Sequence, residues 1–247
     1  MFQLSVKLPE YLELLKSRYP EFEQDAIIFA NIGMKINQHE SPESHTQVVV
    51  SQCRVAWEIF NSILCLAAYD YGLGAISLSR SLFELVVATI FLIENPSRLQ
   101  DFVDYGKMIA HELAESLGAD KKYLAAFRRE ADYDKLKKHF GHETWYGGSI
   151  RRLVEAAGMD KLYESFYKEA SSIAHGDSFV TLAYHYGRWQ FSGDVRTWSR
   201  YCETSLTFSF LLMANLYHRT VHKLKLPYVP DVQAVMGRLT QKKLVIL

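Results

Sequence analysis

With 247 residues, 49% hydrophobic and 23% charged, the chain holds enough apolar material for one large domain or two small ones. Its 28 basic residues balance 28 acidic ones, which excludes a surface that grips a nucleic-acid backbone all round, because that task needs a basic excess. The balance is uneven: Lys and Arg number 15 against 20 Asp and Glu over residues 1–150, then 13 against 8 over 151–247. The bland reading of that shift is scattered solvated charge.

Apolar spacing predicts helices almost throughout. Pro9 and Glu10 open a first helix carrying Leu12, Leu14, Leu15 and Tyr19, and Pro20 starts a second that reaches about Gln38. In "SPES" (41–44), Ser41 is placed to cap, Pro42 to take the first helical position and Glu43 to follow; this third helix runs to Tyr69. "DYGLG" (70–74) breaks it, and a fourth helix from about 75 to 94 is the most apolar in the chain. Asn95, Pro96 and Ser97 separate that helix from a fifth, Ser97–Leu117, which Gly118 stops.

One charged helix is expected over 119–138, then a loop at 139–149, a short helix at 150–157 and another at 160–175. Residues 176–193 read as an irregular aromatic loop, and a long helix covers 195–224 until Pro227 and Pro230 end it. The expected fold is all-α: a single-domain antiparallel helical bundle of about seven to nine helices over 1–247, with N-terminal helices at 9–38 and a C-terminal tail at 227–247.

Cys53, Cys65 and Cys202 show no CxxC spacing; Cys53 and Cys65 fall within apolar helical pattern, as buried reduced thiols of a cytoplasmic protein do. The opening "MFQLSVKLPEYLELL" lacks the basic start and apolar core of a signal peptide. The longest apolar runs, 85–93 and 210–217, are too short to span a bilayer, so no membrane partner is expected.

The fourth helix is apolar around nearly its whole circumference, except for a narrow stripe of Ser77, Arg80, Ser81, Glu84 and Ala88. Charges in such a helix need partners, because desolvation costs several kcal/mol per ion. Arg80 and Glu84 are spaced to pair, in the weaker order of Arg before Glu, and Arg80 keeps donors for a further partner or an anionic ligand. On the helix 160–175, Tyr167, Ser171 and His175 lie at i, i+4, i+8, with Ser172 three residues before His175. Gly176 is placed as the left-handed stop, and a histidine in the last turn suits the negative helix end. That explains His175 as punctuation, while two serines behind the imidazole and Asp177 after it leave room for a proton carrier.

Other patterns carry less. His218 and His222 at i, i+4, and His139 and His142 in a loop, are two-ligand spacings with no third ligand signalled, so no metal and no cofactor are expected. "KKYLAAFRREADYDKLKKHF" (121–140) interleaves Tyr123, Phe127 and Tyr133 with charge, but its acidic interruptions suit a solvated amphipathic helix better than an RNA-binding face.

The combination of "SRSLFELVVATIFLIENPSRLQDFVDYG" with "SIRRLVEAAGMDKLYESFYKEASSIAHGD" resembles a widespread bacterial family, domain of unknown function 5677, over roughly residues 50–220. The matching positions are Arg80 and Glu84, Pro96, Phe102 and Tyr105, Tyr163, Ser172 and His175. The resemblance implies an all-α bundle and carries no established activity. More loosely, the chain is similar to bundles of the HEPN kind, which cleave RNA without metal through an Arg and a His on one helix. No Arg precedes His175 at that spacing, so Arg80 would have to come from a different helix.

Two functions follow as expectations. One is a binding or interaction module, in a defence or stress context, whose inner cluster is Arg80, Glu84, Ser172 and His175, with Tyr163, Tyr167, Tyr105 and Asp177 as ligand-binding residues. Its partner would be another protein or a second copy of the chain. The alternative is a metal-independent ribonuclease or phosphodiesterase acting on RNA. There His175 serves as acid or base, Arg80 stabilises the phosphorane, Glu84 orients Arg80 and Ser172 positions the phosphate.

Overall fold

The computed structural model describes residues 9–130, 132–141, 143–175 and 196–241, and among them all regular structure is helical. Eleven helices appear in chain order, rather more than the seven to nine expected. They are α1 Pro9–Arg18, α2 Glu23–Asn37, α3 Ser44–Ala68, α4 Gly72–Glu94, α5 Leu99–Ser116, α6 Lys121–Glu130, α7 Tyr133–Phe140 and α8 Ile150–Ala156. Next comes α9, made of Asp160–Leu162, a π-helical stretch Tyr163–Tyr167 and Lys168–Ala174; α10 is Arg196–Lys223 and α11 Val229–Gln241.

Two of the extra helices correct the reading of the sequence. The charged segment 119–138 is not one helix, because Asp132 adopts a left-handed φ of 50° and splits α6 from α7. Asp tolerates that conformation better than most residues. The break turns Tyr133, Leu136 and Phe140 inward, whereas α6 has no buried residue. The C-terminal tail also folds: Pro230 does not end structure but sits in the first turn of α11, where its missing N–H costs nothing. α3 begins at Ser44, later than the capping pattern suggested, and Ser41 Oγ instead accepts from the Glu43 N–H at 3.2 Å.

The main core surrounds α4, which packs on α3 and α10, with α8 and α9 on its flank, α2 against α3, and α11 against α10 and α2. Phe22, Phe29 and Phe60 converge on Phe210 at centroid distances of 5.0, 5.6 and 4.9 Å. Each such side chain, once fully buried, contributes about 1.5–3 kcal/mol. Taken as whole helices rather than as uninterrupted apolar runs, α3 and α4 are long and apolar enough to cross a membrane by composition. In this fold they are the inner helices of the bundle, with Ala75, Leu82, Phe83, Val86 and Val87 of α4 wholly inaccessible.

Two polar ties hold the periphery. Asp25 is buried on the inner face of α2, where its Oδ1 accepts from Arg238 Nε at 2.9 Å and from Arg238 Nη2, docking α11. His45 Nε2 lies 2.8 Å from the Leu92 carbonyl and joins the start of α3 to the end of α4. A second, smaller core gathers Leu92, Met108, Tyr133, Leu136, Phe140 and Trp145 where α5 and α7 meet the end of α4. Cys53 and Cys202 are buried in the main core and Cys65 is half-buried, all three unbridged.

Candidate functional site at the seam of α4 and α9

On α4, a residue every third or fourth position from Ser77 to Ala88 leaves the main core and faces α9, and this register places Arg80 and Glu84 at the seam. Arg80 Nη2 reaches Glu84 Oε1 at 3.0 Å, so the i, i+4 pair read from the sequence forms. The partner that completes it is Tyr167, whose hydroxyl donates to Glu84 Oε1 at 2.6 Å and accepts from Arg80. The Arg80 guanidinium carbon lies 5.8 Å from the centre of the Tyr167 ring. Arg80, Tyr167 and Glu84 thus close a small ring of hydrogen bonds in which cation, hydroxyl and carboxylate each satisfy two others.

The electrostatics follow from that ring. Burial, reinforced by the Glu84 carboxylate that takes its proton in a hydrogen bond, raises the Tyr167 pKa above the usual phenol value. Arg80, bonded to the Tyr167 hydroxyl and facing Glu84, is held even more firmly charged than usual. Its side chain remains 24% exposed, and its Nε is buried without a hydrogen-bond partner. One edge of the fork is therefore unsatisfied, which is uncommon for a buried polar atom.

The π-helical stretch Tyr163–Tyr167 ends at this site. An extra residue in one turn re-aims the side chains that follow, and such bulges recur at functional sites. Tyr163 stacks on Tyr167 at 5.1 Å between ring centres, and Phe83 packs under Tyr167 at 5.0 Å, so the aromatic floor is continuous with the main core. Lys168, paired with Glu164, lies over the Tyr163 ring and adds a second cation nearby.

The remaining predicted residues scatter. His175 is exposed at the end of α9, its backbone N–H bonded to the Ser171 carbonyl at 3.1 Å, as a helix-terminal residue should be. Eight residues separate it from Tyr167, about 12 Å of helix. Among the described residues no hydrogen bond or ion pair joins its ring to Arg80 or Glu84. Ser172 is half-buried one turn before it. Tyr105 belongs to the smaller core, its ring edge-on to Phe140 at 5.4 Å, well apart in the fold from the Arg80 ring of hydrogen bonds. Asp177, Gly176 and the loop 176–193 lie outside the described residues, as does His142. Among the described residues no three His, Cys, Asp or Glu side chains converge on one point, and neither His218 and His222 nor His139 acquires a third ligand.

Sequence reasoning missed Trp145. It seats the smaller core on α4 through Phe91 at 5.7 Å and Phe102 at 5.1 Å, and its carbonyl accepts from Arg98 Nη2 at 2.5 Å. A lone tryptophan in a Gly-rich loop, "TWYGG", was the available signal. Asp25 was missed too, although its phase with Phe22, Phe29 and Ile32 put it on the inner face of α2.

The fold and this seam define an all-α bundle with one partly buried Arg–Tyr–Glu cluster. The chain belongs to the family of unknown function DUF5677, whose profile matches residues 46–189, from the start of α3 to beyond α9. Comparison with curated proteins and with solved structures finds no match.

Proposed function

We propose that the protein is a binding module whose ligand-contacting group is Arg80, held by Glu84 and Tyr167 and floored by Tyr163, and that the ligand offers an anionic oxygen. The observation that carries this reading is the unsatisfied Arg80 Nε on a guanidinium whose other nitrogens are already fixed. An anionic oxygen at that edge would complete the fork as carboxylates and phosphates do. The free cysteines suit a reducing, cytoplasmic setting.

A second reading, a metal-independent phosphodiesterase using His175, draws on the exposure of that imidazole on the same helix as Tyr167. It requires a substrate long enough to bridge about two helical turns.

One experiment separates the two. Melting of the wild type, Arg80→Lys and His175→Ala would be followed with inorganic phosphate and with a short single-stranded RNA, and RNA length read afterwards. Binding predicts a ligand-dependent rise in Tm for the wild type and His175→Ala, absent in Arg80→Lys, with RNA intact. Equal shifts in all three proteins remove Arg80 from the role. RNA cut by the wild type and spared by His175→Ala transfers the site to the second reading.

A further inference from the structure

Helix α5 is amphipathic, yet it is seated the wrong way round for a helix on a protein surface. Its charged residues are engaged sideways or toward α7. Asp101 pairs with Arg98 at 3.1 Å and faces His139 at 4.0 Å, and Asp104 takes Lys107 at 2.8 Å. Glu112 accepts from the Tyr133 hydroxyl at 3.1 Å and lies 3.7 Å from Lys137. The face left to solvent carries no charge. On it Ile109, Leu113 and Leu117 form a ridge at i, i+4, i+8 that is 41%, 57% and 77% exposed. Beside the ridge runs a row of the smallest residues, Gly106, Ala110 and Ala114, at the same spacing.

Gly106 is the telling position. A glycine inside a helix is destabilising relative to alanine, so it needs a reason. Elsewhere the reason is internal: a Cβ at Gly33 would lie 2.7 Å from the Tyr217 hydroxyl, and one at Gly74 would lie 3.3 Å from Leu66. At Gly106 it would meet nothing within 4 Å. Packing within the chain does not use the missing side chain, whereas a backbone or side chain arriving from outside would. Gly237 in α11 is similarly open, but no large apolar side chain is exposed on that helix.

We infer that the α5 face is a self-association surface and that its occupant is α5 of a second copy of this chain. Two features single out a second copy. The face bears no charge, so the surface that covers it must be uncharged as well, and α5 is itself such a surface. Ridge and groove lie side by side on one helix, so a two-fold axis sets each Ile109–Leu113–Leu117 ridge over the Gly106–Ala110–Ala114 groove of the other copy. That closed arrangement uses the same patch twice, with both ridges on i±4 rows. One helix face per copy sits near the lower bound of about 1,000 Å² for a specific pair, so the dimer is weak, with a dissociation constant on the order of tens of micromolar. This surface is separate from the Arg80 site and does not depend on its assignment.

Sedimentation velocity of the whole chain, from about 1 µM to about 500 µM, tests it across the range where such affinities show. The wild type should pass from monomer to dimer. Leu113→Glu, which charges the ridge, and Gly106→Leu, which fills the groove without charge, should each weaken dimerisation by at least about tenfold. Both should melt as the wild type does at the lowest concentration, since both positions face solvent. A wild type that stays monomeric throughout, or variants that dimerise equally well, would overturn the inference. So would a monomeric wild type that pellets with phosphatidylglycerol vesicles, which would assign the face to lipid.

Discussion

The bundle around α4 and the smaller assembly of α5, α6 and α7 use their polar and apolar faces in opposite ways. In the bundle, apolar stripes meet one another and charges such as Asp25 enter only when paired with a cation. In the smaller assembly, α5 turns its carboxylates toward the cations of α7 and leaves Ile109, Leu113 and Leu117 outside. Amphipathicity therefore states that a helix has two faces; which face is buried depends on what stands opposite.

The comparison can be broken most forcefully at the cores. Phe210→Ala removes the ring on which Phe22, Phe29 and Phe60 converge and should cost about 3–5 kcal/mol of global stability. Phe140→Ala should instead release the amides of α5–α7 while those of α3, α4 and α10 stay protected. Native-state hydrogen exchange distinguishes the two, and uniform loss of protection in Phe140→Ala would show one cooperative unit rather than two.

A smaller contrast lies in the glycines. Gly33→Ala drives a methyl to 2.7 Å from the buried Tyr217 hydroxyl and should destabilise by about 1–3 kcal/mol in urea titration. Gly106→Ala, in open space, should stabilise the monomer by about 0.5–1 kcal/mol, so the same substitution changes sign between the two regions. Destabilisation at both positions would mean that α5 is packed more tightly than its exposure indicates.

The smallest effect concerns pH at the seam. The folded pKa of Tyr167 is raised above its unfolded value, so its contribution is fully present below about pH 10 and is lost as pH climbs through the folded pKa. Tyr167→Phe should be less stable than the wild type at neutral pH by about 1 kcal/mol, the scale of one hydrogen bond to a charged group, and the gap should narrow in alkali. A gap that does not change between pH 8 and alkaline conditions would detach Tyr167 from the ionisation.

Much of this was legible in the residues. The all-α class, the buried fourth helix and the Arg80–Glu84 pair follow from periodicity and from the cost of leaving a charge unpaired. Tyr167 stood among the candidate ligand residues by its phase on α9, and the π-helical stretch that aims it at Glu84 left no mark in the spacing. The break at Asp132 was illegible because Asp fits both a helix and a left-handed turn; only the inward pull on Tyr133 and Phe140 decides between them. α11 was hidden because Pro227 and Pro230 end one helix and start another with the same chemistry.

Local physics alone determined where the helices run, which stripes are apolar and that His175 sits at a helix end, since each depends on neighbours within a few residues. Tertiary structure decided the rest. It put Tyr167, rather than His175, on the Arg80–Glu84 pair, set Tyr105 in a different core and left the apolar face of α5 uncovered. Those outcomes depend on which helix lies opposite which, and contacts between residues far apart in the chain are not written in any single stretch of it.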